Sequence, residues 1–201
     1  MINEMEKNKT MSKMSDLEFD KNSVELMRYR NNKLAYWLGL GGLAFGVLAA
    51  FIVLNSMAAI TVQVILCIFL NIFMLLSGFL ACERTKTYSR NGSIFLGALG
   101  VVNVLQIFWL PLTIIVTYNK WNSITDLDEK SAYGRDNVGA VFTEGGANSV
   151  HWLSTNGNFR GILAIVFLVI SAAFYFGAAV IGVMKSQKLN NYLDSLKVEK
   201  K

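Results

Sequence analysis

The sequence predicts an all-α integral membrane protein, a four-helix bundle with both termini in the cytoplasm, short amphipathic cytoplasmic ends and one external loop over 119–160. Three observations predict it. Residues 34–82, 91–119 and 161–184 carry no Asp, Glu, Lys or Arg, in runs of 49, 29 and 24 residues. None of these runs has the polar face that a helix of a small soluble domain turns to water. Basic residues cluster in the segments that flank the runs on one side only.

A helix crosses the ~30 Å hydrocarbon core of a bilayer with ~20 mostly apolar residues, so the second and third runs each hold one span. The first run, at ~1.5 Å per residue, would reach about 74 Å as one straight helix and must fold back. A local polar dip at Asn55-Ser56-Met57 marks the turn. Four spans follow, near 34–54, 59–82, 94–118 and 161–184, inside a transmembrane domain of 23–184.

Ahead of them, residues 1–22 are rich in Lys, Asn, Met and Ser and read as a disordered cytoplasmic tail. From Ser23, a suitable cap, Val24-Glu25-Leu26-Met27-Arg28-Tyr29-Arg30 reads as a surface helix that runs into span one. The charged start and the length of the apolar stretch do not fit a cleavable signal, so span one is expected to stay in the mature protein. Tyr36 and Trp37 fall where an aromatic belt belongs, and Tyr118 and Trp121 mark the opposite interface. Between spans three and four, weak alternation at 138–143 and 149–154, around Glu144-Gly145-Gly146-Ala147-Asn148, predicts a small β-hairpin. In the tail, 185–201, Leu189, Tyr192, Leu193 and Leu196 share one face of a short helix suited to the inner leaflet or a partner. No internal repeat is present.

Lys and Arg are retained on the cytoplasmic side of a bilayer, which orients the bundle. Lys7, Lys9, Lys13, Lys21, Arg28, Arg30 and Lys33 precede span one; Arg84, Lys86 and Arg90 join spans two and three; Lys185, Lys188, Lys197, Lys200 and Lys201 end the chain. Together these are 15 of the 19 basic residues. Lys120, Lys130, Arg135 and Arg160 lie on the other side, among Asp126, Asp128, Glu129, Asp136 and Glu144. The net charge of +5 is therefore a topology signal with some attraction to anionic lipid, not a nucleic-acid footprint. Cys67 lies within span two and Cys82 at its cytoplasmic end, where neither is placed for an external disulfide; beside Glu83 and Arg84, Cys82 reads as an interfacial thiol, with palmitoylation the alternative. The sequon Asn91-Gly92-Ser93 falls on the inner side, where it would go unused.

Two features inside the spans bear on assembly. Ala35, Gly39, Gly42, Gly46 and Ala49 form a stripe of small residues that lets helix backbones approach closely, either within the monomer or at an oligomer seam. Ala164, Ser171, Ala178 and Gly182 repeat the pattern in span four. Gln63, Asn71, Asn103 and Gln106 are amides in hydrocarbon that need partners, and an interhelical amide cluster is the expected arrangement. Pro111, the single proline, frees the carbonyl of Ile107 and is expected to bend span three.

No Asp, Glu, Lys, Arg or His lies inside a predicted span, which argues against a proton-driven carrier and removes the usual intramembrane acids and bases. His151 beside Trp152, and the acidic group Asp126-Leu127-Asp128-Glu129, read as a solvated loop and not as a metal site. No catalytic, cofactor-binding or metal-binding residue is assigned. The expectation is a non-enzymatic protein of the cell membrane, an accessory or scaffold subunit that meets a protein partner or its own copy in the lipid bilayer. The alternatives are a small channel or facilitator lined by the amides and, more distantly, an enzyme acting on lipid.

Overall fold

The computed structural model describes residues 22–27, 30–55, 62–138 and 147–198, with side chains described at 22–27, 30–54, 65–133 and 158–197. A short helical stretch at 22–27 precedes five helices: α1 (Lys33–Asn55), α2 (Val62–Lys86), α3 (Arg90–Ser123), α4 (Leu127–Val138) and α5 (Ala147–Val198). Of these, α1, α2, α3 and α5 are long and apolar enough to cross a membrane.

The helix ends follow from local chemistry. The Asn32 carbonyl accepts the Tyr36 N–H at 3.1 Å to open α1, while the Asn32 N–H donates to the Lys86 carbonyl at 2.9 Å and so ties the start of α1 to the end of α2. Because Asn31 and Asn32 lie outside any helix, the surface helix read from Ser23 does not run on into α1. Tyr88, at φ 59, takes the left-handed conformation that reverses the chain between α2 and α3. Ser89 then caps α3, its side chain accepting from the Gly92 N–H at 3.4 Å. Asp126 accepts from the Asp128 N–H at 2.9 Å and opens α4, with Asp128 and Glu129 in the first turn where the helix dipole favours carboxylates.

The connection expected as a loop over 119–160 is thus helical for much of its length. The predicted β-hairpin is overturned where the structure describes it: its second arm, 149–154, is the first part of α5, and position 138 closes α4. Most of its first arm and its turn lie outside the described residues. An isolated two-stranded hairpin is marginal in water, whereas a helix that continues from a spanning segment needs no new nucleus. The separate amphipathic tail helix is likewise replaced: α5 passes through Met184 without a break and ends at Val198. Nothing from Lys185 onward is a glycine or proline that would stop it. The disordered tail predicted for 1–22 lies outside the described residues apart from Asn22.

The 34 residues of α3 and the 52 of α5 reach about 51 and 78 Å, well beyond a ~30 Å hydrocarbon core. The bundle closes in the order α2, α3, α5, α1, with α5 packed most extensively on α3 and α1, and α2 covering the remaining side. Outward, all four long helices present large apolar side chains, among them Phe51, Phe69, Phe73, Leu105, Phe108 and Val169. Inward, contact is close: a Cβ placed on Gly182 of α5 would collide with Ser93 Oγ and meet Thr85 Cγ2 at 2.9 Å. Pro111 is buried within α3, which stays helical around it. Gly182→Val is therefore expected to cost ~1–3 kcal/mol of overpacking, lowering the unfolding midpoint in detergent. Gly177→Val, whose Cβ would find only Leu38 Cδ1 at 3.8 Å, should leave that midpoint nearly unchanged.

Candidate functional site

The polar side chains of the spans meet at the middle of the bundle. Asn103 of α3, which is 1% exposed, donates from Nδ2 to Ser171 Oγ of α5 at 2.6 Å. The Ser171 hydroxyl in turn donates to the Gly42 carbonyl of α1. Three helices that are distant in sequence are joined by two hydrogen bonds within their apolar segments. The bond from Ser171 reaches a backbone carbonyl because Gly42 has no side chain in the way: a Cβ there would stand 3.0 Å from the Tyr175 ring and 3.1 Å from the Ser171 carbonyl.

The remaining amides find other partners. Asn71 Nδ2 donates within α2, to the Cys67 carbonyl at 2.8 Å and its sulfur at 3.2 Å. Gln106 Nε2 donates across to Met74 Sδ at 3.4 Å, linking α3 to α2. Gln63 lies on α2, but its side chain is outside the described residues. Among the described residues Asn71, Asn103 and Gln106 do not bond to one another but to a carbonyl and sulfur, a hydroxyl and a thioether. The reason is register: Asn103 stands opposite Ser171 and Gln106 opposite Met74, so each meets a different acceptor first.

Two small cavities lie among these groups. One is bordered by Ala49, Val53, Cys67, Asn71, Gln106 and Leu168; the other by Gly46, Met74, Asn71, Asn103 and Tyr175. Each has room of ≈ 20 Å³, enough for a single water, which needs about 10–15 Å³ on the same measure. Asn71, Asn103 and Gln106 all use their N–H groups inside the bundle. Their amide oxygens receive no donor among the described residues and lie in cavity walls that are otherwise mostly apolar.

The small stripe of α1 faces inward. Ala35 and Ala49 are fully buried, Gly39 lies against Cys82, and Gly42 and Gly46 lie against Ser171 and its neighbours. Ala164, Ser171, Ala178 and Gly182 of α5 are buried as well. His151 and Trp152 belong to α5, with side chains outside the described residues. Among the described residues no three His, Cys, Asp or Glu side chains gather as a metal site would require. No Asp, Glu, Lys, Arg or His lies in the charge-free runs of the spans, and the contacts made at this site are hydrogen bonds between neutral groups.

Two members of the site escaped the sequence reading. Ser171 counted only as a small residue, although a hydroxyl at mid-span is a hydrogen-bond donor first. Tyr175, 2% exposed and packed against Gly42 and Gly78, belongs to the buried core of the bundle, and a tyrosine within a span is itself a signal of a polar interior. Compared with protein-family models, curated proteins and solved structures, the chain finds no match.

The hydrogen-bond pattern separates the two asparagines. Asn103→Leu removes an interhelical bond and is expected to lower stability by roughly 0.6–1.7 kcal/mol, the range for such bonds in membrane helices. Asn71→Leu removes only contacts within its own helix and should cost less. Unfolding in detergent and SDS mixtures would read the difference, and an equal or reversed order would contradict the assignment.

Proposed function

We propose that this chain is a non-enzymatic accessory or scaffold subunit of a larger complex in the cell membrane, with both termini in the cytoplasm. The observation that carries the reading is how the polar groups are used. Inside the spans they join helix to helix around cavities of single-water size, an arrangement suited to holding a bundle together. Outside them, α3 and α5 continue past the apolar segments, and α4 adds a further polar helix. Helical surface beyond the bilayer is the part of such a molecule that a protein partner can reach.

The orientation rests on the 15 of 19 basic residues gathered at one end. Epitope tags at the two termini should both be protected from protease in intact cells and both be cut in inverted vesicles. Opposite accessibility of the two tags would refute the proposed topology.

Purification of the tagged chain in mild detergent, followed by mass spectrometry, is expected to recover a stoichiometric partner or a stable homo-oligomer. Recovery of the bare monomer under several mild conditions would count against a scaffold. A second reading, a facilitator for a small uncharged solute, is favoured by the acceptor oxygens beside the two cavities. On that reading Asn103→Leu abolishes solute flux into liposomes; on the scaffold reading the wild-type chain supports no flux to abolish.

A further inference from the structure

We propose that the basic end of the bundle is a binding site for the phosphate of an acidic phospholipid headgroup, with Lys185 as its anchor and Asn32 and Thr85 as neutral donors beside it. This site is distinct from the polar interior, and it rests on the reading that the chain is embedded in a membrane. Four helices converge here. The Asn32 N–H is bonded to the Lys86 carbonyl, Lys185 Nζ donates to Asn32 Oδ1 at 3.2 Å, and Gly182 is pressed against Ser93 and Thr85.

The charge balance at this point is one-sided. Lys86 is neutralised by Glu83 at 3.3 Å and lies 5.0 Å from the Tyr36 ring centre. Lys185, by contrast, has no carboxylate within ion-pair distance among the described residues; its one hydrogen-bond partner is a neutral amide oxygen. An ammonium so placed favours an anion.

The second observation is independent of charge. Asn32 and Thr85 are both 0% exposed, yet Asn32 Nδ2 and Thr85 Oγ1 have no hydrogen-bond partner among the described residues. Leaving buried donors unsatisfied is costly; Asn32 Nδ2 belongs to the amide that Lys185 contacts, and Thr85 precedes Lys86, whose carbonyl accepts from the Asn32 N–H, a placement suited to an oxygen-rich anion. Rotation of the Asn32 amide would exchange Oδ1 for Nδ2 next to Lys185, offering a donor to a phosphate oxygen held by the ammonium.

The flanking surface selects a lipid over a free anion. Leu34, two residues beyond Asn32, and Met184, adjacent to Lys185, are exposed, as are Ile94 and Phe95 beside Ser93. Apolar side chains at that position lie where the acyl chains of a bound phospholipid begin. The site also stands where the apolar run of α1 starts, the depth of the headgroups in a spanning bundle.

The test uses the full-length protein in mild detergent, titrated with phosphatidylglycerol, phosphatidylcholine or inorganic phosphate, with thermal unfolding as the readout. Phosphatidylglycerol is expected to raise the wild-type midpoint, and the other two to leave it in place. K185Q should weaken the phosphatidylglycerol response about tenfold, the effect of losing one charged hydrogen bond, while K188Q, one turn farther out, should retain it. Equal responses in K185Q and K188Q would reduce the effect to diffuse attraction and overturn the site. A shift with phosphatidylcholine, or the same shift with inorganic phosphate, would overturn the acidic-lipid assignment. Should K185Q not fold, T85V keeps every charge and decides the matter: a weakened response supports the site, and an unchanged one overturns it. None of these outcomes depends on whether a protein partner is found, so the lipid site and the scaffold reading fail separately.

Discussion

Helices in hydrocarbon are not pressed together by water, because the tails around them are as apolar as their own side chains. What holds this bundle is the close approach of backbones combined with a few hydrogen bonds that nothing in the lipid can replace. The chain of contacts from Asn103 to Ser171 to the Gly42 carbonyl is the clearest case, since it needs both at once. A larger residue at position 42 would separate α1 from α5 and remove the acceptor from reach. A different residue at 171 would leave the Asn103 amide, at 1% exposure, with an unbonded donor. Small residues and polar residues are thus one device, the first setting the distance at which the second can bond.

The same dependence explains the unequal roles of the helices. α5 carries buried small residues from Gly161 to Gly182 and packs on both α3 and α1, so it acts as the mast of the bundle. α2 is attached differently. Its apolar face is largely outward, with Phe69, Phe73, Leu76 and Leu80 exposed, and its side-chain hydrogen bond across to α3 is that of Gln106 to a thioether. Its firmest attachment is at the basic end, where the turn through Tyr88 and the bond from Asn32 to the Lys86 carbonyl hold it.

The four spanning helices were legible in the sequence because the signal is physical and nearly binary: a charge is either absent for ~20 residues or it is not. The small stripe of α1 was equally readable as a pattern, although its neighbour was not, since spacing along one helix says nothing about which helix it meets. The partners of the amides were hidden for the same reason. Asn103 and Ser171 are separated by 68 positions, and their meeting depends on the depth at which α3 and α5 sit relative to each other. The segment between spans three and four was misread because alternation over five or six residues is a weak signal. The acid Asp126 that looked like part of a loop cluster is a helix cap, a role that local hydrogen-bonding preference could have suggested.

The two ends of the bundle illustrate why charge and burial must be read together. At the loop end, cations meet aromatic faces: Lys130 lies 4.3 Å from the Trp121 ring centre and Lys120 5.1 Å from that of Tyr133. Those contacts anchor α4 against the end of α3 without burying any charge. At the basic end Asn32 and Thr85 are fully enclosed, and Lys185 stands beside an amide whose Nδ2 lacks a hydrogen-bond partner among the described residues. A bundle stabilised only by its own contacts would be expected to satisfy those donors internally, as it does at mid-span with Ser171. In the interior, where lipid offers no hydrogen-bonding group, the donors are satisfied within the bundle; at the basic end the same need is the one that the proposed phosphate contact would meet.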